Sequence, residues 1–397
     1  MLYRNKYLVL SPDCFIKRLE NPYIYNISTD ELYETNEEAF EFLKLCDGSH
    51  RISGLQYEEE FIDWCLNEGL LKLASKGSKR DFILEAAPCP SLRYLEIQIT
   101  ARCNLKCLHC YLGEARRIDM PVSTILASLE EFEKMQGLRL LISGGEPLLH
   151  PDFWSINDLL PRFGLRSILM TNGTLVDRPT AEKLNVHEVQ ISLDGLEHSH
   201  DILRGRGTYK KAINAIKELR KQGKNVSIAT MVHAFNLNDF PELKTVIEEM
   251  GIKEWNVDVP SIAGKLAENK EIQVPYHIAA PLLEHSFGGG LYTSAPGYAC
   301  GAHLCTVMPD GDVAKCGFFA EYPAGNVRDG LRTCWERITH IALNELECQC
   351  SFIEECRGGC RFRAMLEKDI RSPDPVQCYF RGVLKSPLKK VRERIVN

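Results

Sequence analysis

The sequence predicts an α/β protein in which a partial barrel of six β/α units sits between a small N-terminal module and a cysteine-rich C-terminal extension. Three observations carry this. Six apolar, β-branched runs (LEIQIT, LRLLIS, RSILMT, EVQISL, NVSIATMV and EWNVDVP) alternate with amphipathic stretches such as TYKKAINAIKELRKQG between Leu95 and Pro260. Such alternation argues a parallel sheet, and six units make a partial, TIM-like barrel short of the full eight. Nine of the 16 cysteines fall between Cys300 and Cys378, and the first 75 residues carry strand and helix signals of their own. The expected boundaries are a module at 1–75, a linker at 76–91, the barrel at 92–285 and the extension at 286–397.

Within the module, short strands are expected at Tyr23–Ile27 and Glu31–Glu34, then a helix from about Asn36. Ala39, Phe40, Leu43 and the pair Leu45/Cys46 recur there at helical spacing, and Gly48 suits its termination. EEEFIDWCLNEGLL reads as a second helix ending at Gly69, before a strand-like LLKL. This order suits a winged-helix unit. Residues 76–93 mix Gly, Ser and Pro with charge, as linkers do.

A chain of 397 residues exceeds what one core usually fills, so two or three domains are expected. The net charge of −6, from 48 basic and 54 acidic residues, gives no global excess that would draw nucleic acid. The basic run KSPLKKVRERIVN is expected to be a solvated helical tail. No apolar run approaches the roughly 18 residues needed to cross a bilayer, and MLYRNKYLVLSPDC lacks a full signal-peptide core and cleavage site. A cytoplasmic protein with no membrane or nucleic-acid partner is therefore expected. In a reducing compartment its cysteines argue for metal rather than disulfides. Cys14, Cys46, Cys65 and Cys89, standing alone, are expected to be buried apolar residues.

The chemistry lies at the ends of the strands. ARCNLKCLHCY spaces Cys103, Cys107 and Cys110 as CxxxCxxC, and three thiolates leave one corner of a four-iron cube without a protein ligand. A zinc knuckle is the alternative, since zinc takes closely spaced cysteines too. ISGGEP (142–147), MTNGTL (170–175) and ISLDGLEHSHDILRGRGTY (191–209) then follow, each closing an apolar run. Zinc does not explain these later motifs, and ligands of such sheets collect at the carboxyl ends of the strands.

The succession of motifs over roughly 160 residues resembles the radical S-adenosylmethionine enzymes. In that family the open iron chelates the amino and carboxylate groups of the cofactor's methionine part, and one electron splits a carbon–sulfur bond to give a 5′-deoxyadenosyl radical that abstracts hydrogen. The resemblance assigns Cys103, Cys107 and Cys110 to the catalytic [4Fe-4S] cluster. His109 takes a position, commonly aromatic, whose backbone lies near the adenine, with Tyr111 as aromatic neighbour; His109 as a fourth ligand is the alternative. Gly144, Gly145, Glu146 and Pro147 match the strand end that hydrogen-bonds the methionine amino group. Asn172 matches a position near the ribose, although Asn-Gly is equally a plain turn signal. Ser192, Asp194 and Arg204 match positions around the cofactor, with Ser192 and Arg204 holding its carboxylate; a surface ion pair is the alternative for Arg204.

The frame CGAHLCTVMPDGDVAKC, then CSFIEECRGGC, then Cys378 resembles the SPASM extension, which carries two auxiliary four-iron clusters. Carried over, Cys300, Cys316 and Cys360 belong to the first, and Cys350, Cys356 and Cys378 to the second. The chain departs from the pattern in having CQC where CxxC is usual, and in lacking a cysteine upstream of Cys300. Either Cys305 completes the first cluster or an iron stays open; Cys348 is the candidate fourth ligand of the second, and Cys334 the spare. A zinc ribbon is the alternative for this region.

The order of elements in the N-terminal module resembles the peptide-recognition element of pathways that modify ribosomally made peptides, which binds a leader as an added strand. Together these resemblances imply a peptide maturase forming a thioether, a carbon–carbon crosslink or a related modification. Its partners would be a precursor peptide with a leader and an external electron donor such as flavodoxin or ferredoxin. An anaerobic sulfatase maturase is the nearest alternative, but those enzymes place an aspartate base where this chain has Gly317. Modification of a haem precursor or quinone cofactor would not need a leader-binding module, and a non-catalytic electron carrier would not need a methionine pocket.

Overall fold

The computed structural model describes residues 5–55, 57–289 and 295–385. Most of the basic run expected to form a helical tail lies outside the described residues.

The N-terminal module comprises β1 (Tyr7–Leu10), β2 (Cys14–Arg18), β3 (Pro22–Asn26), β4 (Glu31–Glu34), α1 (Glu37–Leu45), β5 (Asp47–Arg51), α2 (Glu59–Asn67) and β6 (Leu71–Ala74). Two antiparallel three-stranded sheets, β5-β1-β6 and β2-β3-β4, enclose a small core with Leu8, Ile24, Phe40, Leu43 and Leu71. α1 starts where the Asn36 side chain accepts the Ala39 N–H at 2.7 Å, a cap that satisfies one of the free amides of the first turn. Leu45, expected on the apolar face of α1, is 43% exposed. Cys14, Cys46 and Cys65 are buried as expected, whereas Cys89 is exposed, because it lies in the irregular segment between module and barrel.

The barrel strands are β7 (Tyr94–Thr100), β8 (Arg139–Gly144), β9 (Arg166–Thr171), β10 (Glu188–Ser192), β11 (Asn225–Met231) and β12 (Glu254–Asp258). They pair in parallel, each with its neighbour in sequence. The intervening helices include α3 (Val122–Lys134), α4 (Phe153–Leu159), α5 (Arg178–Lys183), α6 (Glu197–Arg204), α7 (Thr208–Lys221) and α8 (Phe240–Glu249). Side chains alternate across a strand. Leu95, Ile97 and Ile99 of β7 and Leu140 and Ile142 of β8 join the helices in the main core, so Glu96, Gln98 and Ser143 take the opposite, inner face.

The sheet does not stop at six strands. β13 (Leu304–Val307) runs parallel to β7, with Cys305 opposite Leu95, and β14 (Asp312–Ala314) and β15 (Gly325–Asn326) extend it antiparallel to nine strands. The first part of the extension thus shares the barrel's sheet.

The module is seated on the amino-terminal ends of the barrel strands. Glu20 pairs with Arg93 at 2.8 Å, just before β7. Asp30, at the β3–β4 turn, pairs with Arg139 and lies 3.5 Å from Arg166, the first residues of β8 and β9. The buried Lys17 ammonium donates to the Gly137 and Gly164 carbonyls at 2.9 and 3.1 Å. The face with the carboxyl ends of the strands is left to the motif loops.

Candidate active site and auxiliary cysteines

The cysteine loop leaves β7 and has no regular structure, so its shape is set by what holds it. The Gly145 and Glu146 N–H groups donate to the Thr100 and Arg102 carbonyls at 2.8 and 2.7 Å. A Cβ at Gly144, where φ is +141°, would stand 2.3 Å from the Thr100 carbonyl oxygen, and one at Gly145 would stand 2.3 Å from that of Arg102. The two glycines are therefore required by backbone crossing backbone. On the other side Leu108 N–H donates to the Leu203 carbonyl, and Lys265 N–H to the Cys110 carbonyl, both at 3.0 Å.

Glu146 is fully buried, and its carboxylate accepts the Thr171 hydroxyl at 2.7 Å and the Asn172 N–H at 2.9 Å. It fastens the end of β8 to the loop after β9, and burial pushes its pKa up. Pro147 opens a short buried turn behind it. Asn172 is a turn residue that also latches the cysteine loop. Its side-chain N–H donates to Asn104 at 3.0 Å, while its oxygen accepts the Thr174 N–H at 2.9 Å.

Beyond β10, Asp194 is fully buried. It accepts from Arg204 Nε and, at 2.7 Å, from the Met231 N–H. Burial opposes its charge, yet Arg204, with His109 and His200 beside it, holds its carboxyl well below the usual range. Arg204 also faces the Cys107 and Cys110 thiols. It is no surface ion pair; it ties Asp194 to the cysteine loop. Ser192 is half-buried at the end of β10.

Sequence reasoning missed two buried histidines here. His200 Nδ1 accepts the Asp194 N–H at 3.0 Å, and His233 Nε2 lies 2.9 Å from the Asp194 carbonyl oxygen. The opposite ring nitrogens, His200 Nε2 and His233 Nδ1, are buried without a partner, as is His109 Nδ1. Such orphaned atoms are able to bond a polar ligand. The spacing HSH after ISLDG was the available signal for His200.

Tyr111 turns to the inner face of β7 and the segment after Cys316. Its hydroxyl accepts the Gln98 amide N–H at 3.2 Å, and its ring lies 4.7 Å from that of Phe318, so it reaches from the cysteine loop to the segment after Cys316. An added Cβ at Gly317 would stand 2.8 Å from the Tyr111 hydroxyl and 3.0 Å from the Gln98 amide.

The second group of cysteines falls into two sets. Among titratable groups, Cys360 acts most strongly on both Cys300 and Cys316, while Cys378 is coupled to Cys348, Cys356 and Cys350, with Asp374 beside them. Cys305 joins neither. It is buried in the main core, with Cys334 and Glu96 as its titratable neighbours, because on β13 it alternates to the helix side. Cys334 is likewise core, beside Trp335.

These features meet known proteins at several points. A model of the Radical SAM superfamily matches residues 97–247. Fe-coproporphyrin III synthase of Methanosarcina barkeri (strain Fusaro / DSM 804) is 31% identical over 346 residues, spanning 71% of this chain and 86% of that protein. The chain belongs to the radical SAM superfamily. Mycofactocin maturase MftC of Mycolicibacterium smegmatis is 28% identical over 317 residues, spanning 70% of this chain and 80% of that one. Among solved structures, Streptococcus suis SuiB bound to precursor peptide SuiA superposes with a TM-score of 0.70 at 18% identity, covering 92% of this chain and 98% of SuiB.

A radical SAM protein uses a four-iron cluster and S-adenosylmethionine, and the donors present fit both. Cys103, Cys107 and Cys110 are free, partly accessible thiols, and Cys103 Sγ accepts the Leu105 N–H at 3.4 Å. Burial pushes the Cys103 thiol up to about 11, so a bound iron, rather than the protein alone, makes it a thiolate. Among the described residues no three His, Cys, Asp or Glu side chains converge on a single ion; thiolates on separate irons of a cube stand further apart. The orphaned ring nitrogens and Arg204 are polar groups that would suit the second cofactor. Among the described residues no helix is long and apolar enough to cross a membrane.

Proposed function

We propose that this radical SAM protein is a peptide maturase that removes hydrogen from a ribosomally made precursor and forms a thioether, a carbon–carbon crosslink or a related bond. The observation that carries the reading is the N-terminal module with a strand edge that no other strand among the described residues pairs. β4 ends the β2-β3-β4 sheet, and beside it Tyr33 and the 40% exposed Trp64 stand edge to face at 5.8 Å. Edge plus aromatic shelf suits an added leader strand. SuiB, whose structure was solved with a precursor peptide, matches 92% of this chain, so most of the module has a counterpart there. MftC, named as a maturase, supports the same reading.

When bound, the cluster and S-adenosylmethionine supply a 5′-deoxyadenosyl radical. The chain's part is to hold the cofactor against Arg204, His109, His200 and His233, and to shape the inner face with Glu96, Gln98 and Tyr111. Cys300, Cys316 and Cys360 form the first auxiliary site, with one iron left to a substrate thiolate or a non-protein ligand, and Cys348, Cys350, Cys356 and Cys378 the second. An external flavodoxin or ferredoxin supplies electrons, and the reaction takes place in the cytoplasm. Gly317 counts against sulfatase maturation, since Tyr111 and Gln98 fill the place of the missing base.

The module and the pocket lie at opposite ends of the strands. Crossing the seven residues of β7, at about 3.3 Å each, takes an extended peptide of at least about seven residues. The precursor therefore needs a spacer of that length between leader and modified residue.

A second reading, porphyrin modification, is favoured by the 31% identity to Fe-coproporphyrin III synthase. The two separate in one assay. Anaerobically reconstituted protein, with dithionite and S-adenosylmethionine, is given either a short peptide encoded next to its gene or iron coproporphyrin. Deoxyadenosine with loss of a hydrogen pair from the peptide, weakened at least tenfold by Trp64→Ala, supports the maturase. Turnover with the porphyrin alone overturns it.

A further inference from the structure

Lys315 sits between β14 and Cys316, and it is buried to 7% exposure. Its ammonium donates to the Thr339 carbonyl at 3.2 Å. Its Cε lies 3.1 Å from where a Cβ on Gly301, the neighbour of Cys300, would stand; Cys300, Cys316, Arg361 and the imidazoles of His303 and His340 are the titratable groups around it, and among the described residues no carboxylate pairs with it. Arg361 is also buried, but four backbone carbonyls, those of Gly358, Gly359, Ile370 and Ser372, already surround its guanidinium.

A buried ammonium held by one carbonyl is costly to the fold. The cost is offset if negative charge arrives beside it. The sulfur atoms of Cys300 and Cys316 are where that charge would collect, because each step of reduction adds an electron to a cluster they carry. A fixed cation at such a place stabilises the reduced form over the oxidised one, and net charge around a cluster is one of the quantities that sets its potential.

We propose that Lys315 is the counter-charge of the first auxiliary cluster and raises its reduction potential. The proposal rests on the reading of Cys300, Cys316 and Cys360 as that cluster's ligands. Lys315 touches no substrate in this scheme; it acts through the cluster.

The test uses the full chain with Cys103, Cys107 and Cys110 changed to alanine, reconstituted anaerobically, so that only auxiliary clusters contribute. Midpoints are read by potentiometric titration followed by electron paramagnetic resonance. Lys315→Met is expected to move one midpoint to lower potential and leave the other unchanged, and Lys315→Arg to hold both near the parent values. Lys315→Gln keeps a donor for the Thr339 carbonyl without the charge and is expected to shift like Met. Loss of one cluster's iron in both neutral variants, but not in the Arg variant, equally ties the charge to that cluster. An iron-replete Met or Gln protein with both midpoints unmoved overturns the proposal, as does equal iron loss in all three. Cys316→Ala separates the underlying reading: if it leaves iron content and both midpoints intact, the ligand assignment itself is wrong.

Discussion

The Glu146 carboxylate accepts the Asn172 N–H at 2.9 Å, so the acidic residue of the GGEP turn is a strut between two strand ends. Glu146→Gln turns an amide N–H toward either the Thr171 or the Asn172 donor, because the two bond to different carboxylate oxygens. Losing hydrogen bonds to a charged, buried acceptor is expected to cost about 2–3 kcal/mol. Thermal unfolding should register that loss, and S-adenosylmethionine affinity should fall while the catalytic cysteines still take up iron.

Gly145→Ala places a methyl group against the Arg102 carbonyl, a backbone atom that cannot move aside without moving Cys103. The loop is expected to be displaced while the barrel stays folded. Iron analysis should show a deficit of about four irons per chain, one cluster's worth, with an unchanged far-ultraviolet spectrum.

Stability should fall on mild acidification. Burial, with Arg204 adding to it, lowers His200 to about 4; burial, with Arg93, Arg357 and Lys315, lowers His303 to about 4. The unfolded value is about 6.5. The unfolded chain therefore binds more protons between these values, so the contribution is complete above about pH 6.5 and is lost as pH falls toward 4. Denaturant unfolding of the cluster-free protein across this window should show the slope, and His303→Gln should reduce it.

Gly317 and Tyr111 should be coupled. Gly317→Ala sets a methyl group 2.8 Å from the Tyr111 hydroxyl, at an expected cost of about 1–3 kcal/mol. Tyr111→Phe removes the nearest of the crowding atoms, so the double variant should recover part of the loss. Strictly additive unfolding energies would show that the two do not meet.

The six barrel strands were legible because strands buried in a parallel sheet read as continuous β-branched runs. β1, β2 and β5 were not: four or five residues such as YLVL or DGSHR give too short a pattern to separate from a loop. Cysteine spacing located the catalytic trio, but it could not say that Cys305 faces the core, since that depends on β13 pairing with β7 and on which way the strand alternates. The direction of Tyr111 was hidden for a similar reason. Its partners, Gln98 and Phe318, belong to a strand before it and a turn some 200 residues after it.

The parallel pairing of β13 with β7 means that a cut at residue 285 does not separate two proteins. The shortened product would bare a hydrogen-bonding rim along the strand that launches the cysteine loop, an invitation to self-association. Fragments meant to report on the first cofactor alone should therefore keep at least the segment through Asn326, or inactivate the auxiliary sites by substitution rather than deletion.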